Sequence, residues 1–512
     1  MISIKKKKIK IVLLVSLIIF AIVFSIHIVF KEKDMKVVYD ALIGEKNERQ
    51  IVEAIYVNGM IPIYDMENDI YYYPVNLEES KNEINLEIKT SKLSITRVQN
   101  KATFFQEIKL DKDIKYDEII EIEIESLLYK NKLIKLKLTN MPIVSLNYDE
   151  SKISREYTES DFLIVDPNYK NNNSKSQIYE KSKIRYRGSS SMGYLKKSFR
   201  VKLEKSENLL GMNENKVWIL DAIASEKSDL RTKISSDIWN EINKDLDKDK
   251  YTSLNTRYIE MYINGKYKGL YVLKEVMDEN TLNLDKNDGI LVKGINSVFP
   301  NFNNYQEINS EGYNPFELKY PSDEQKYPKT WRIFLDRIKE YYEGRTDYNN
   351  INKTFYVENL INQRIFLLIL NANDNYEFRN VYYSIKDNNE NTKVLITPWD
   401  LDLTFGINWD DNYGAKKQYE EVEIINEPFG IKDDETFKQK LKERWKHLSE
   451  TVLSKKTVYE MIDETYGYLI KANALERENN KNYNADILKE KEELKEWYNK
   501  RFDVINQYIN EL

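Results

Sequence analysis

Apolar residues run from Ile11 to Phe30 with only Ser16, Ser25 and His27 between them, and Lys5, Lys6, Lys7, Lys8 and Lys10 stand just ahead. A helix of that length covers about 30 Å, one hydrocarbon core. The leading lysines orient it with residues 1–10 in the cytoplasm and the remainder outside. The pattern therefore predicts an uncleaved transmembrane anchor over 11–30, a single-pass cell-membrane protein with the bulk of the chain extracytoplasmic. A cleaved signal peptide is the alternative; the length of the run and the lack of a small-x-small site after it weigh against cleavage.

From 36 to 142 the periodicity changes to two. Ile51-Val52-Glu53-Ala54-Ile55-Tyr56-Val57, Ile84-Asn85-Leu86-Glu87-Ile88 and Leu133-Ile134-Lys135-Leu136-Lys137-Leu138 alternate apolar and polar positions. Short alternating runs with turns between them predict an all-β antiparallel sandwich of immunoglobulin type. It gathers no catalytic side chains and reads as a spacer or ligand-binding module, ending at Asn140 to Pro142.

Residues 143–512 mix both periods, an α+β texture. Strands are predicted over Lys183–Arg187 and Phe199–Leu203, on either side of the small-residue loop Gly188-Ser189-Ser190-Ser191-Met192-Gly193. Ser228-Asp229-Leu230-Arg231 marks a capped helix start, and Asn264-Gly265 a hairpin joining Tyr258–Ile263 to Tyr267–Leu273. Polar residues 297–327 read as a long loop. Helices are expected near 328–343, 355–372, 435–470 and 485–510, with short strands at Val381–Ile385 and Val394–Thr397.

Composition narrows the chemistry. The 512 residues include no Cys and two His, His27 in the apolar run and His447 in a charged helical stretch. Thiol nucleophiles, Cys/His zinc clusters and Ser-His-Asp triads are thereby all but excluded. Carboxylates, amides, hydroxyls, Lys, Arg and a bound metal remain. A net charge of -6 without a dominant basic tract in the body of the chain disfavours nucleic acid as a partner.

The most informative stretch is Pro398-Trp399-Asp400-Leu401-Asp402-Leu403-Thr404-Phe405-Gly406. On a strand, Asp400 and Asp402 would face the same way and could converge on one hard cation. Upstream, Asp374 and Asn380 follow a strongly apolar helix, and Asp, Asn, Asp is the order in which protein kinases present base and metal ligands. The Gly-Ser loop could bring backbone N–H groups to phosphate, with Arg187, Lys196, Lys197, Arg200 and Lys202 around it. Singly, each feature has a plain structural reading, as a turn cap, a hairpin or a solvated cationic face.

Together the pieces resemble the CotH kinase family. The matching stretches are Arg187-Gly188-Ser189-Ser190 with Lys196 to Leu203; Trp218 with Asp229-Leu230-Arg231; Tyr262 to Gly265 through Gly269-Leu270-Tyr271 to Glu275; Asp374 with Asn380; and Pro398 to Gly406. They span about residues 143 to 410. The resemblance implies a divergent, kinase-like bilobal domain over 143–512 with a helical C-terminal lobe. It further implies an enzyme that uses ATP and Mg2+, or Mn2+, to phosphorylate Ser or Thr of coat, secreted or surface proteins in a spore or forespore setting. Asp374 would accept or orient the hydroxyl proton, and Asn380, Asp400 and Asp402 would hold the metal, with Asp400 counted as catalytic too. Lys197, Arg200, Lys202, Arg187 and Ser190 would meet the phosphates. No H-R-D, D-F-G or fully spaced G-x-G-x-x-G occurs, and the Asp374 to Asn380 interval is one residue longer than in ordinary kinases. Adenylylation or glutamylation on the same fold, and a non-catalytic surface scaffold or adhesion protein, stay open at this point.

Overall fold

The computed structural model describes the chain from Val52 to Leu512 except residues 80–83, 91–93, 100, 104–106, 111–113, 127–130, 189, 296–315, 322–331, 340–346, 373, 376–378, 388–390, 408–418, 421, 423–433 and 483–485. The alternating N-terminal segment forms strands β1 (Val52–Val57), β2 (Ile63–Asp65), β3 (Ile70–Pro74), β4 (Asn85–Thr90), β5 (Ser94–Val98), β6 (Lys101–Thr103), β7 (Glu107–Lys109), β8 (Ile120–Ser126) and β9 (Lys132–Thr139). They make a three-stranded sheet, β1-β4-β7, and a six-stranded one, β2-β3-β9-β8-β5-β6. Both sheets bury their apolar positions in one cluster that includes Ile55, Val57, Leu86, Ile122, Leu136 and Leu138. Pairing is not wholly antiparallel, because β3 runs parallel to β9 with Tyr71 opposite Leu136.

The next strands are β10 (Ile143–Tyr148), β11 (Thr158–Val165), β12 (Gln177–Arg187), β13 (Ser198–Glu207), β14 (Asn215–Asp221), β15 (Thr256–Ile263) and β16 (Lys266–Glu275). They close into a barrel in the order β10-β11-β12-β13-β14-β16-β15. Alternation fills it: Phe199, Val201 and Leu203 of β13 point inward with Phe162, Trp218 and Leu273. The closing contact is the parallel pair of β10 with β15, in which Ile143 lies opposite Glu260.

Helix α1 (Arg231–Asn243) leaves the barrel after β14. Its first N–H groups are capped by Glu226, whose carboxylate accepts from Arg231 N at 3.0 Å and Thr232 N at 3.1 Å. A four-stranded sheet follows, ordered β18 (Phe316–Tyr320), β17 (Ile290–Ile295), β19 (Arg379–Ile385), β20 (Leu395–Pro398). Around it pack α2 (332–339), α3 (Tyr348–Thr354), α4 (Val357–Leu370), α5 (Glu435–Glu450), α6 (Lys455–Lys471), α7 (Ala474–Asn482) and α8 (Ile487–Glu511). The apolar α4 is buried along its length and joins the core with Trp239, Trp445 and Tyr498.

These observations correct the expected fold class. A closed seven-stranded barrel and a separate four-stranded sheet with helices, mixed α/β in content, stand where a kinase-like bilobal domain was anticipated, and the sheets ahead of them are not the wholly antiparallel sandwich expected. Strand order explains the difference: the barrel is closed by a parallel contact between strands more than a hundred residues apart, which no local periodicity encodes. No helix among the described residues is long and apolar enough to cross a membrane, and the stretch 11–30 lies outside them. The predicted helix over 435–470 is two helices, α5 and α6, parted at Thr451 to Ser454. The presumed loop 297–327 contains β18.

Candidate active site between the barrel and the β20 turn

Helix α4 ends at Asn371, whose left-handed backbone (φ 49°) closes the last turn and delivers Asp374 to the edge of β19. Asp374 is only 5% exposed. Its Oδ2 accepts from Asn380 Nδ2 at 2.5 Å, and its Oδ1 lies 2.8 Å from Arg379 Nε. The Asn380 carbonyl in turn accepts from Trp399 N at 2.8 Å, and from Asn375 Nδ2 at 3.1 Å. Asn375 also donates to the Trp399 carbonyl. This lattice sets Asp374 and Asn380 beside the residue that precedes Asp400.

Strand β20 stops at Pro398, so Asp400 and Asp402 do not alternate along a strand as expected. Asp400 is left-handed (φ 61°), as is Asn380 (φ 47°), a conformation that Asn and Asp tolerate better than other side chains. The turn, not strand pleating, brings the two acids together. Gly406 (φ 83°) ends the segment, where a Cβ would come within 2.3 Å of the Trp497 indole of α8.

The barrel supplies the opposite wall. Strand ends β12 and β14 present Arg187 and Asp221, and β16 presents Lys274. Arg187 Nη2 is 3.5 Å from Asp400 Oδ1 and Nη1 is 3.9 Å from Asp221 Oδ2, with the guanidinium 6.0 Å from the Trp399 ring centre. Lys274 pairs with Asp221, which also accepts from Ile223 N at 3.1 Å and Ser198 Oγ at 3.3 Å. Burial opposes ionisation of Asp221, but Lys274 and Arg187 outweigh it and hold the carboxyl well below the usual range. A cleft here is lined by Ser236, Asn255, Lys274, Glu275, Trp399 and Asp400.

Asp402 goes the other way. Burial, then the neighbouring Asp400 and Asp221 carboxylates, push its pKa up to about 7, against a hydrogen bond from Ser225. Carboxylates crowded until one resists ionisation form a donor set that a hard cation would relieve. No group of three or more His or acidic residues close enough to hold a metal occurs among the described residues.

The remaining predicted cations divide. Arg200 acts electrostatically on the Tyr382 phenol, as Arg187 and Asp400 do. Lys202 is exposed on the barrel, and Lys197 Nζ donates to the carbonyls of Met192 and Tyr194, so neither reaches the carboxylates. Lys196 is buried in an ion pair with Glu478 of α7. The Ser190 side chain lies outside the described residues. Asp229 and Arg231 are structural: the Asp229 carbonyl accepts from Tyr258 Oη and Arg231 pairs with Glu226.

Asp221, Lys274 and Tyr382 were not identified as site residues from sequence. The available signal was a charged residue breaking an apolar strand, as in Trp218-Ile219-Leu220-Asp221.

A family model described as CotH kinase protein matches residues 184–505, well over half of the chain. The match runs past the motifs above into the C-terminal helices. No curated protein matches the chain.

Proposed function

The chain belongs to the CotH kinase protein family, and on that premise we propose that it transfers the terminal phosphoryl group of ATP to Ser or Thr hydroxyls of a protein acceptor, with Mg2+ or Mn2+. The observation carrying this reading is the lattice in which Asn380 donates to Asp374 while its carbonyl accepts from Trp399. A candidate base, a candidate metal-binding amide and the carboxylate Asp400 are thereby held as one unit.

The chemistry asks for placement and charge more than covalent participation. The acceptor hydroxyl oxygen bonds to the γ-phosphorus as the bond to the β,γ-bridging oxygen breaks, and ADP leaves with that electron pair. The hydroxyl proton passes towards Asp374. Its Oδ2 already accepts from Asn380 and its Oδ1 is ion-paired with Arg379, yet a carboxylate has about four lone-pair sites, so it can orient one more donor. Asp400, Asp402 and Asn380 would hold the cation, whose contribution is to neutralise phosphate charge. Arg187 and Arg200 meet the phosphates from the barrel side.

Incubating the full chain with Mg2+, an acceptor protein and either γ- or α-labelled ATP tests this. Label in protein from γ- but not α-labelled ATP is expected. Label from α-labelled ATP would establish adenylylation instead, and ATP cleavage without any label in protein would contradict phosphorylation.

A further inference from the structure

Asn375, the residue after the candidate base, is fully buried and is tied to the end of α4 by its own N–H, which donates to the Ala372 carbonyl at 3.0 Å. Its side chain faces two carbonyls at once. Nδ2 donates to the Asn380 carbonyl at 3.1 Å and also to the Trp399 carbonyl, contacts that only the NH2 end of an amide can make. Oδ1 is buried and meets no donor among the described residues. An apolar side chain would fill this space without leaving an acceptor unsatisfied, so it is the NH2 that accounts for an amide here.

The two carbonyls belong to the two candidate cation segments. The β19–β20 ladder ends with Val381 opposite Pro398, and just beyond it the backbone turns left-handed at Asn380 and at Asp400. Trp399 N donates to the Asn380 carbonyl at 2.8 Å, and Asn375 adds a second link that reaches both chains from one donor. The Asn380 carbonyl lies in the peptide that follows Asn380, and the Trp399 carbonyl in the peptide that precedes Asp400. One NH2 group therefore fixes both peptide planes, and with them the separation of the two side chains. Left-handed backbone outside glycine persists where its surroundings hold it, and this amide is such a hold on both residues.

We propose that Asn375 is a positioning residue for the divalent cation: its amide clasps the Asn380 and Trp399 peptides so that the Asn380 and Asp400 side chains are presented to one ion. This rests on the reading above, in which both residues hold the cation, and adds a residue that acts through them. A plain turn staple would set stability alone, whereas a positioning residue sets metal affinity.

The test compares the full chain as wild type, Asn375→Leu and Asn375→Ala. Leucine keeps much of the buried volume while removing the NH2, and alanine guards against a misfit of the branched side chain. Three quantities are measured: Mn2+ affinity without nucleotide, from loss of the free-ion paramagnetic resonance signal; the Mg2+ concentration giving half-maximal transfer; and thermal unfolding in chelator. The variants should unfold cooperatively in chelator yet bind Mn2+ about 10–100-fold more weakly, the range for loss of a residue that orients metal ligands. The Mg2+ concentration for half-maximal transfer should rise in step, with excess Mg2+ restoring part of the rate. Wild-type Mn2+ affinity and Mg2+ dependence in whichever variants fold would overturn this inference and leave the kinase reading standing. Loss of the cooperative transition in both variants would also overturn it, by assigning the amide to the fold itself. Weakened Mn2+ binding in the variants, with no transfer even by wild type, would support the clasp at a cation site and overturn the kinase reading. Wild type that neither binds Mn2+ nor transfers would overturn both.

Discussion

Asn380 Nδ2 donates to Asp374 Oδ2 across 2.5 Å, so the amide expected at the cation and the carboxylate expected at the acceptor hydroxyl are a single hydrogen-bonded unit. Residues acting as a unit lose activity non-additively. Asn380→Gly is the suitable probe, since glycine accepts the left-handed backbone (φ 47°) that alanine would strain. Transfer rates of Asp374→Asn, Asn380→Gly and the double variant should show the double falling far short of the product of the single losses. Independent, multiplicative losses would separate the two residues functionally.

Asp402 predicts a pH dependence of stability in the metal-free protein. With its pKa raised to about 7 from an ordinary value near about 4, the folded chain holds a proton that the unfolded chain has released between those values. Stability should therefore decline as pH rises across that window and level off above it. Asp402→Asn removes the cost, so thermal denaturation should show it more stable than wild type at pH 8, with the difference shrinking as pH falls and vanishing only near about pH 4. Adding Mg2+ with nucleotide at pH 8 should stabilise wild type more than the variant. A constant difference between the two proteins at both pH values would contradict the crowded-carboxylate account.

The Lys196–Glu478 pair, 2.6 Å apart with side chains 6% and 0% exposed, ties the barrel loop to α7. Glu478 also accepts from Leu270 N at 2.6 Å. Removing one member of such a pair strands a buried charge, so Lys196→Met should cost about 3–5 kcal/mol in denaturant unfolding. Lys196→Met combined with Glu478→Gln should recover part of that loss. Full stability in the single variant would show that the pair contributes little.

Local chemistry was legible wherever neighbours in sequence decide it. Asn264-Gly265 is the hairpin turn between β15 and β16, with both residues left-handed (φ 49° and 73°). The apolar run before Asp374 is the buried α4. Reading Asp400 and Asp402 as alternating on a strand failed because β20 ends at Pro398, and the Trp399–Asn380 hydrogen bond fixes a turn instead. Of the barrel wall of the site, Arg187 was named from sequence, but Asp221 and Lys274 were not. Asp221, Lys274 and Arg187 meet only because β12, β13, β14 and β16 pair side by side in a barrel closed by a distant parallel contact. From sequence, the lysines flanking the Gly-Ser loop looked like the phosphate cations. In the structure Lys197 is used by the loop's own carbonyls, Lys196 by Glu478.

The central claim, that Asp400 and Asp374 serve one phosphoryl transfer in different ways, is tested most directly by measuring ATP binding and γ-phosphoryl transfer side by side in wild type, Asp374→Asn and Asp400→Ala. Asp374→Asn keeps size and should retain Mg2+-dependent ATP binding while turnover falls by roughly 10²–10⁴-fold, the range for a proton-handling group. Asp400→Ala should lose both, because a cation ligand acts on the ground state and the transition state alike. Wild-type transfer in both variants, or ATP binding by wild type that is equal in Mg2+ and in chelator, would contradict the account.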